Sequence, residues 1–238
     1  MDNLVITNCH LIDGVSDLVQ PNASIAVADG VIAKISTGGL AADGATVIDA
    51  GGGWLLPGLW DVHVHPEYPP LPGQNVAQQT LRFGWLLNQG LTRAGITGVR
   101  SAGAAHFMDV ALKGAFDSGQ HVGPRVQAAG YFLTTTGGHY LNSGQTMECD
   151  GPYGFVKAIR EQIKNGVDHI KLNLTGGITG PAWDRHADPF LLDEEMEAAF
   201  AICRQRGYKV AAHATTREAV KAAIRLGAHS IEHGYAMD

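Results

Sequence analysis

The sequence is short of cysteine, of clustered positive charge and of long apolar runs, and each shortage removes a class of function. Its three cysteines, Cys9, Cys149 and Cys203, are odd in number and far apart, so neither a disulfide framework nor a cysteine-based zinc site follows, and the usage fits a reducing compartment. Lys and Arg number 17 against 23 Asp and Glu, a formal net charge of -6. There is no basic run, and nucleic acid, whose phosphates need clustered Lys and Arg, is not an expected partner. No segment offers the ~18 uninterrupted apolar residues that span a bilayer. Residues 1–14 lack the basic flank and apolar stretch of a signal peptide, so no membrane association is expected and the expected location is cytoplasmic. No Gly-x-Gly-x-x-Gly follows the first strand of the repeating region, which removes the dinucleotide fingerprint.

What remains is ordinary globular material, 238 residues with 45% hydrophobic and 17% charged side chains and 31 glycines. From Asn3 to about Asp49 the pattern is short strands and turns: Leu4 to Ile6, Ser24 to Val27, Val31 to Ile35 and Thr46 to Ile48. Asp29-Gly30 between two β-branched runs is a hairpin signal. Gly51-Gly52-Gly53 reads as a flexible hinge. Beyond residue 57 the rhythm becomes strand and helix in alternation, with candidate strands at Leu59 to His65, Gly98 to Ser101, Arg125 to Ala129, His169 to Leu174, Val210 to His213 and Ser230 to His233. Phe155, Ile159 and Ile163 repeat at helical spacing, and Met196, Ala199, Phe200 and Cys203 share one face of a segment starting near Asp193. Thr215-Thr216-Arg217-Glu218 fits a capping box, with Gly227 where that helix should stop.

Alternating strands and helices pair in parallel, as a doubly wound sheet or a (β/α)8 barrel. The barrel is favoured because the polar residues of interest sit at the C-terminal ends of several strands, where barrel active sites collect. The expected organisation is an α/β (β/α)8 TIM-like barrel at 57–238, incomplete at about six strands, with a small N-terminal β-sandwich at 1–56. Two β/α units are wanting. Either the chain is the N-terminal part of a longer protein or a second chain closes the sheet, because an open edge would expose strand hydrogen-bonding groups.

The chemistry starts at Leu59-Trp60-Asp61-Val62-His63-Val64-His65, where strand alternation puts both imidazoles on one side and both valines on the other. In His169-Ile170-Lys171-Leu172-Asn173-Leu174, packing of the aliphatic residues against helices points Lys171 into the barrel. A buried ammonium there must find an anion, lose its proton or be modified. His213 and His233 each close a short apolar strand just before a loop. Four histidines and a lysine on one rim make a site suited to zinc.

Pro57-Gly58-Leu59-x-Asp61-x-His63-x-His65, Lys171 followed by Thr175-Gly176-Gly177, Ala212-His213-Ala214 and Ile231-Glu232-His233-Gly234 together resemble the metal-dependent amidohydrolase superfamily. The pattern is most similar to its imidazolonepropionase-like branch, which includes Xaa-Pro dipeptidases. The resemblance implies two divalent metal ions, most simply zinc, with His63 and His65 on the first, His213 and His233 on the second, and an N-carboxylated Lys171 bridging both. It implies activation of water near neutral pH and attack on an amide carbonyl. His139, in Thr136-Gly137-Gly138-His139-Tyr140, matches a position that contacts the substrate carbonyl or the developing oxyanion, with Tyr140 as a further substrate contact. Gly176 and Gly177 let the loop beside them pass close to the metals.

Two departures accompany the resemblance. The superfamily's aspartate at the end of strand eight, a metal ligand and proton shuttle, has no counterpart here; Asp238 follows His233 too soon to take that role. Ser101 stands where relatives commonly have an acidic residue. Without the aspartate the isolated chain is expected to be nearly inactive. The expected substrate is a small molecule, a dipeptide or an N-acyl amino acid, with a cyclic amide as the alternative. A different class of reading is a non-catalytic metal-binding half-barrel that associates through its open edge with a copy of itself or a complementing C-terminal segment. The loops Pro66 to Gly73 and Tyr131 to Tyr140 are expected to shape the pocket.

Overall fold

The structure is a computed structural model that describes residues 3–66 and 71–235. Part of the Pro66 to Gly73 loop, and Asp238, lie outside the described residues. The chain divides into two compact units, 1–58 and 59–238, and none of the described helices is long and apolar enough to cross a membrane.

In the first unit, β1 (Leu4–Leu11), β2 (Gln20–Ala28), β3 (Val31–Thr37) and β4 (Thr46–Leu55) form one sheet in the order β3-β2-β1-β4. That single sheet accounts for every strand described in this unit. β2 and β3 make the hairpin that Asp29-Gly30 announces, both turn residues having left-handed φ, 51° and 78°, as a type I′ turn requires. β4 lies parallel to β1 on the other side. The three consecutive glycines are not a hinge: they lie inside β4, where the register with β1 jumps from Thr7 opposite Asp49 to Cys9 opposite Gly53. Gly51 and Gly52 have φ of 60° and 80°, and the Asp49 carboxylate accepts from the Gly51 N–H and the Asn8 amide. Glycine here forms a bulge within the strand. Cys9, Leu11, Ala23 and Ile25 make the apolar face of the sheet.

The second unit runs β5 (Leu59–Val64), α1 (Val76–Ala94), β6 (Ile96–Ser101), α2 (Met108–Asp117), β7 (Arg125–Gln127), β8 (Phe132–Thr134), β9 (Thr146–Glu148), α3 (Gly151–Lys164), β10 (His169–Asn173), α4 (Asp193–Arg206), β11 (Lys209–Ala214), α5 (Arg217–Leu226) and β12 (Ser230–His233). Every pair among these strands is parallel. β5, β6 and β7 are neighbours, and β10, β11 and β12 are neighbours. The two sets are joined where the Ala128 carbonyl accepts from the Asp168 N–H at 2.8 Å and the Asp168 carboxylate accepts from the Ala128 N–H at 2.8 Å.

Helix signals in the sequence explain the boundaries. α1 starts at Asn75, whose side chain accepts from the Gln78 N–H in a capping box, and stops at Gly95 with φ 68°. α5 stops at Gly227, φ 94°, but its N-cap is Thr216, which accepts from the Ala219 N–H. The N-cap therefore lies one residue beyond Thr215, and the expected capping box does not form, because the residue three positions after Thr216 is Ala219, whose side chain has no acceptor. The Thr215 hydroxyl is instead engaged with Thr175 Oγ1 and the His186 carbonyl.

The core forms where two periodicities meet. Phe155 and Ile159 on α3, Phe200 and Cys203 on α4, and Ile170 and Leu172 on β10 are all at most 2% exposed and pack in one cluster. Each large apolar side chain buried this way contributes about 1.5–3 kcal/mol. With Ile170 and Leu172 committed to the helices, strand alternation turns Lys171 and Asn173 to the opposite face. The sheet is strongly curved. A flat arrangement of β5, β6, β7, β10, β11 and β12 would separate the outer two by about 24 Å, yet His63 of β5 touches Glu232 of β12 at 2.6 Å.

Candidate metal centre and active site

The curvature brings the C-terminal ends of β5, β10, β11 and β12 around one cavity of about 270 Å³, lined by His63, His65, His139, Tyr140, Lys171, His213 and His233 together with Phe132, Asn173, Gly177, Ile178, Thr179 and Tyr235. Every site residue expected from the sequence therefore faces a single space. The imidazoles form a chain: ring centroids are 5.2 Å apart for His63 and His65, 5.1 Å for His63 and His233, 4.6 Å for His213 and His233, and 4.4 Å for His139 and His213.

Most of these rings are held by their outer nitrogen. His63 Nδ1 meets Glu232 Oε2 at 2.6 Å, His65 Nδ1 meets the Gly103 carbonyl at 3.1 Å, and His213 Nε2 meets the Gly176 carbonyl at 2.8 Å. Carboxylates and carbonyls accept, so in each ring the bonded nitrogen carries the hydrogen and the other keeps its lone pair. This is the arrangement that outer partners impose on a histidine that binds metal. His233 reaches the cavity by another device. Its φ of 74° is left-handed, a conformation that costs a non-glycine residue about 1–2 kcal/mol and is concentrated at functional sites.

Electrostatics favour the neutral ring at His65, His213 and His233. Burial, reinforced by the Lys171 charge, pulls His65 down to about 3 and His233 to about 4, and pushes His213 well below its ordinary value. Lys171 is 2% exposed. Burial draws its amine down to about 8, with Glu232 working in the other direction and Arg100 adding to the fall. Nζ donates to Asn173 Oδ1 at 3.0 Å and lies 5.7 Å from the Phe132 ring centroid. An amine so lowered is uncharged in about a tenth of the molecules at pH 7, and only that form can add carbon dioxide.

The donor set fits a divalent metal in chemistry: four imidazoles, three of them turned by an outer acceptor, in a cleft beside an amine that modification would turn into an anion. As placed, no three His, Cys, Asp or Glu side chains among the described residues come close enough to hold an ion by themselves. Lysine is not one of those donor types, and Lys171 lines the same cavity.

Three participants are given no role by the sequence. Glu232 binds His63 with one oxygen, and with the other accepts from Arg100 Nη2 at 2.6 Å and Ser230 Oγ at 2.7 Å. Arg100 also donates through Nε to the Val62 carbonyl at 2.8 Å, so this network joins β5, β6 and β12. Asp184, buried in the loop after β10, bonds His139 Nδ1 at 2.9 Å. Gly176 and Gly177 permit a close approach: a Cβ on Gly176 would lie 2.2 Å from the Arg185 carbonyl oxygen, and one on Gly177 would lie 2.0 Å from His139 Cε1. Ser101 is fully buried, and its hydroxyl accepts from the Gly103 N–H that precedes the His65 anchor.

A sequence model of the amidohydrolase family matches residues 54–238. Ochratoxinase of Aspergillus niger is 27% identical over 209 residues, which are 75% of this chain and 43% of that protein. Among solved structures, a Xaa-Pro dipeptidase with methionine bound in its active site is 31% identical at a TM-score of 0.87, covering 100% of this chain and 63% of that one. A prolidase in complex with N-methylphosphonate-L-proline is 26% identical at a TM-score of 0.89, covering 99% and 62%. The chain thus spans less than half of the curated relative's length and under two thirds of these structures'.

Proposed function

The chain belongs to the amidohydrolase family, and on that premise we propose that it forms the metal-binding part of a hydrolase that cleaves an amide bond in a dipeptide or N-acyl amino acid. The observation that carries this reading is the convergence of His63, His65, Lys171, His213 and His233 on one cavity, with His63, His65 and His213 each turned by an outer acceptor so that a bare nitrogen remains.

In the proposal His63 and His65 would hold one divalent ion and His213 and His233 the other, with an N-carboxylated Lys171 as a shared anionic ligand. Zinc suits the nitrogen-rich set. When bound, such ions supply Lewis acidity toward a carbonyl and lower the pKa of water. The protein's own side chains do the rest. Glu232, Gly103 and Gly176 fix the ligand rings. Phe132, Ile178 and Tyr235 give the mouth an apolar wall against which the substrate's side chain packs. His139, which lines the same cavity, faces the scissile group.

The test is a panel of dipeptides and N-acyl amino acids offered to the whole protein after zinc loading. Hydrolysis of at least one class, abolished by chelation and restored by zinc, is the expected result. Wild-type turnover in the Lys171→Ala variant, or no turnover of any panel member by fully loaded protein, would count against the reading.

A further inference from the structure

The loop that follows β10 is tied beneath the cavity by one carboxylate. Asp184 is 2% exposed. Its oxygens accept from His139 Nδ1 at 2.9 Å, from the Tyr140 N–H at 3.0 Å and from the Gly177 N–H at 3.0 Å. Two of those donors are backbone amides with no alternative role, so Asp184 is an acceptor throughout and the hydrogen of the His139 ring belongs on Nδ1. Nε2 then keeps its lone pair on a ring that lines the cavity.

The surrounding chain is shaped to this pair. A Cβ on Gly180 would sit 2.2 Å from Asp184 Oδ2, one on Gly177 2.0 Å from His139 Cε1, and one on Gly176 2.9 Å from Asp184 Oδ1. None of the three has a left-handed φ. Glycine is needed here for room around the carboxylate and the ring, and not for backbone freedom.

Building on the amide hydrolase reading above, we propose that Asp184 is a positioning residue that fixes His139 as the Nδ1–H tautomer and aims its Nε2 at the substrate. The carboxylate makes no contact with the substrate. It acts through the imidazole, as a buried carboxylate does when it orients a catalytic histidine, and the loop it tethers carries Gly177, Ile178 and Thr179 to the cavity wall.

Two measurements test this, and the first does not depend on turnover. In zinc-loaded protein labelled with 15N histidine, the His139 resonances, assigned by their loss in His139→Ala, should show a protonated Nδ1 and a bare Nε2. A hydrogen on Nε2 in the neutral wild-type ring overturns the proposal, whatever the protein hydrolyses. The second is a double-mutant cycle. Asp184→Asn should lower kcat about 10- to 100-fold with KM within about twofold and zinc content unchanged, and Asp184→Glu should recover part of the loss. In the His139→Ala background the same Asp184→Asn change should lower kcat less than about twofold. An undiminished loss there would show that Asp184 serves only the loop and would overturn the proposal. If no substrate is turned over but Nδ1 is protonated, the failure lies with the hydrolase reading and not with the tautomer.

Discussion

Replacing Glu232 by Gln keeps the volume and removes the charge. The carboxylate receives His63 Nδ1 on one oxygen and Arg100 and Ser230 on the other, so all of its close neighbours are donors. Gln offers one acceptor and one NH2, and either orientation sets a donor against a donor. If the NH2 faces Arg100, a charge-assisted hydrogen bond of about 1.5–3 kcal/mol is lost. If it faces His63, the ring must move its hydrogen to Nε2, which removes the lone pair from the cavity. Losing an outer partner of this kind typically costs 10- to 100-fold in metal affinity, or about 1.4–2.7 kcal/mol. The assay is competition for zinc between metal-stripped protein and a chromophoric chelator, for wild type and Glu232→Gln. A stability loss of about 1.5–3 kcal/mol should also appear as a fall in Tm of about 3–12 °C for a chain of this size. Wild-type zinc affinity in the variant would refute the reasoning, and a lower Tm alone would leave Glu232 as a strut.

Gly177→Ala puts a Cβ 2.0 Å from His139 Cε1; a displacement of about 1 Å in a positioned group costs about 100-fold, so kcat should fall by that order while zinc content, measured on the same sample, stays constant. Phe155→Ala empties a fully buried position in the main core and should lower the unfolding free energy by about 3–5 kcal/mol, read from urea denaturation. His169 is 5% exposed, and burial together with the Arg100 charge pulls it down to about 4. Above pH 6.5 its ring is neutral whether folded or not; between 6.5 and about 4 only the unfolded chain takes the proton, so stability falls with pH by up to about 1.4 kcal/mol per unit. Metal-free His169→Gln should show a flatter decline over that window when Tm is followed against pH.

Regular periodicity is what made the fold legible. β10 could be read because Ile170 and Leu172 alternate with Lys171 and Asn173, and α3 because Phe155 and Ile159 recur at one turn's spacing and both end up fully buried. α1 shows a weaker pattern, since Leu81 and Trp85 are 66% and 55% exposed and blur the stripe made by Phe83 and Leu87. β8 and β9, three residues each, are too short to show any period. The glycines at 51 to 53 misled because composition does not distinguish a bulge inside a strand from a hinge; the partner strand decides, through Thr7 and Cys9.

The residues of the candidate centre were visible because each lies in or just beyond a strand, beside recognisable neighbours. Their outer partners were not. Arg100 and Glu232 meet across 132 positions of sequence, and Asp184 lies in an irregular stretch that only the fold brings to His139. Contacts of that kind follow from the curvature of the sheet, to which no local pattern points. Tyr140, by contrast, was readable as a neighbour of His139, and its left-handed φ of 65° shows how the chain turns there to bring both rings to the cavity.

The central claim is that His63, His65, Lys171, His213 and His233 share a pair of divalent cations. Elemental analysis of zinc-loaded, gel-filtered whole protein tests it most directly, with Lys171→Ala measured beside it. The account predicts close to two metal equivalents per wild-type chain and close to none in the variant, with recovery when a short-chain carboxylic acid is added. Equal metal content in the two proteins, or none in either, would contradict it.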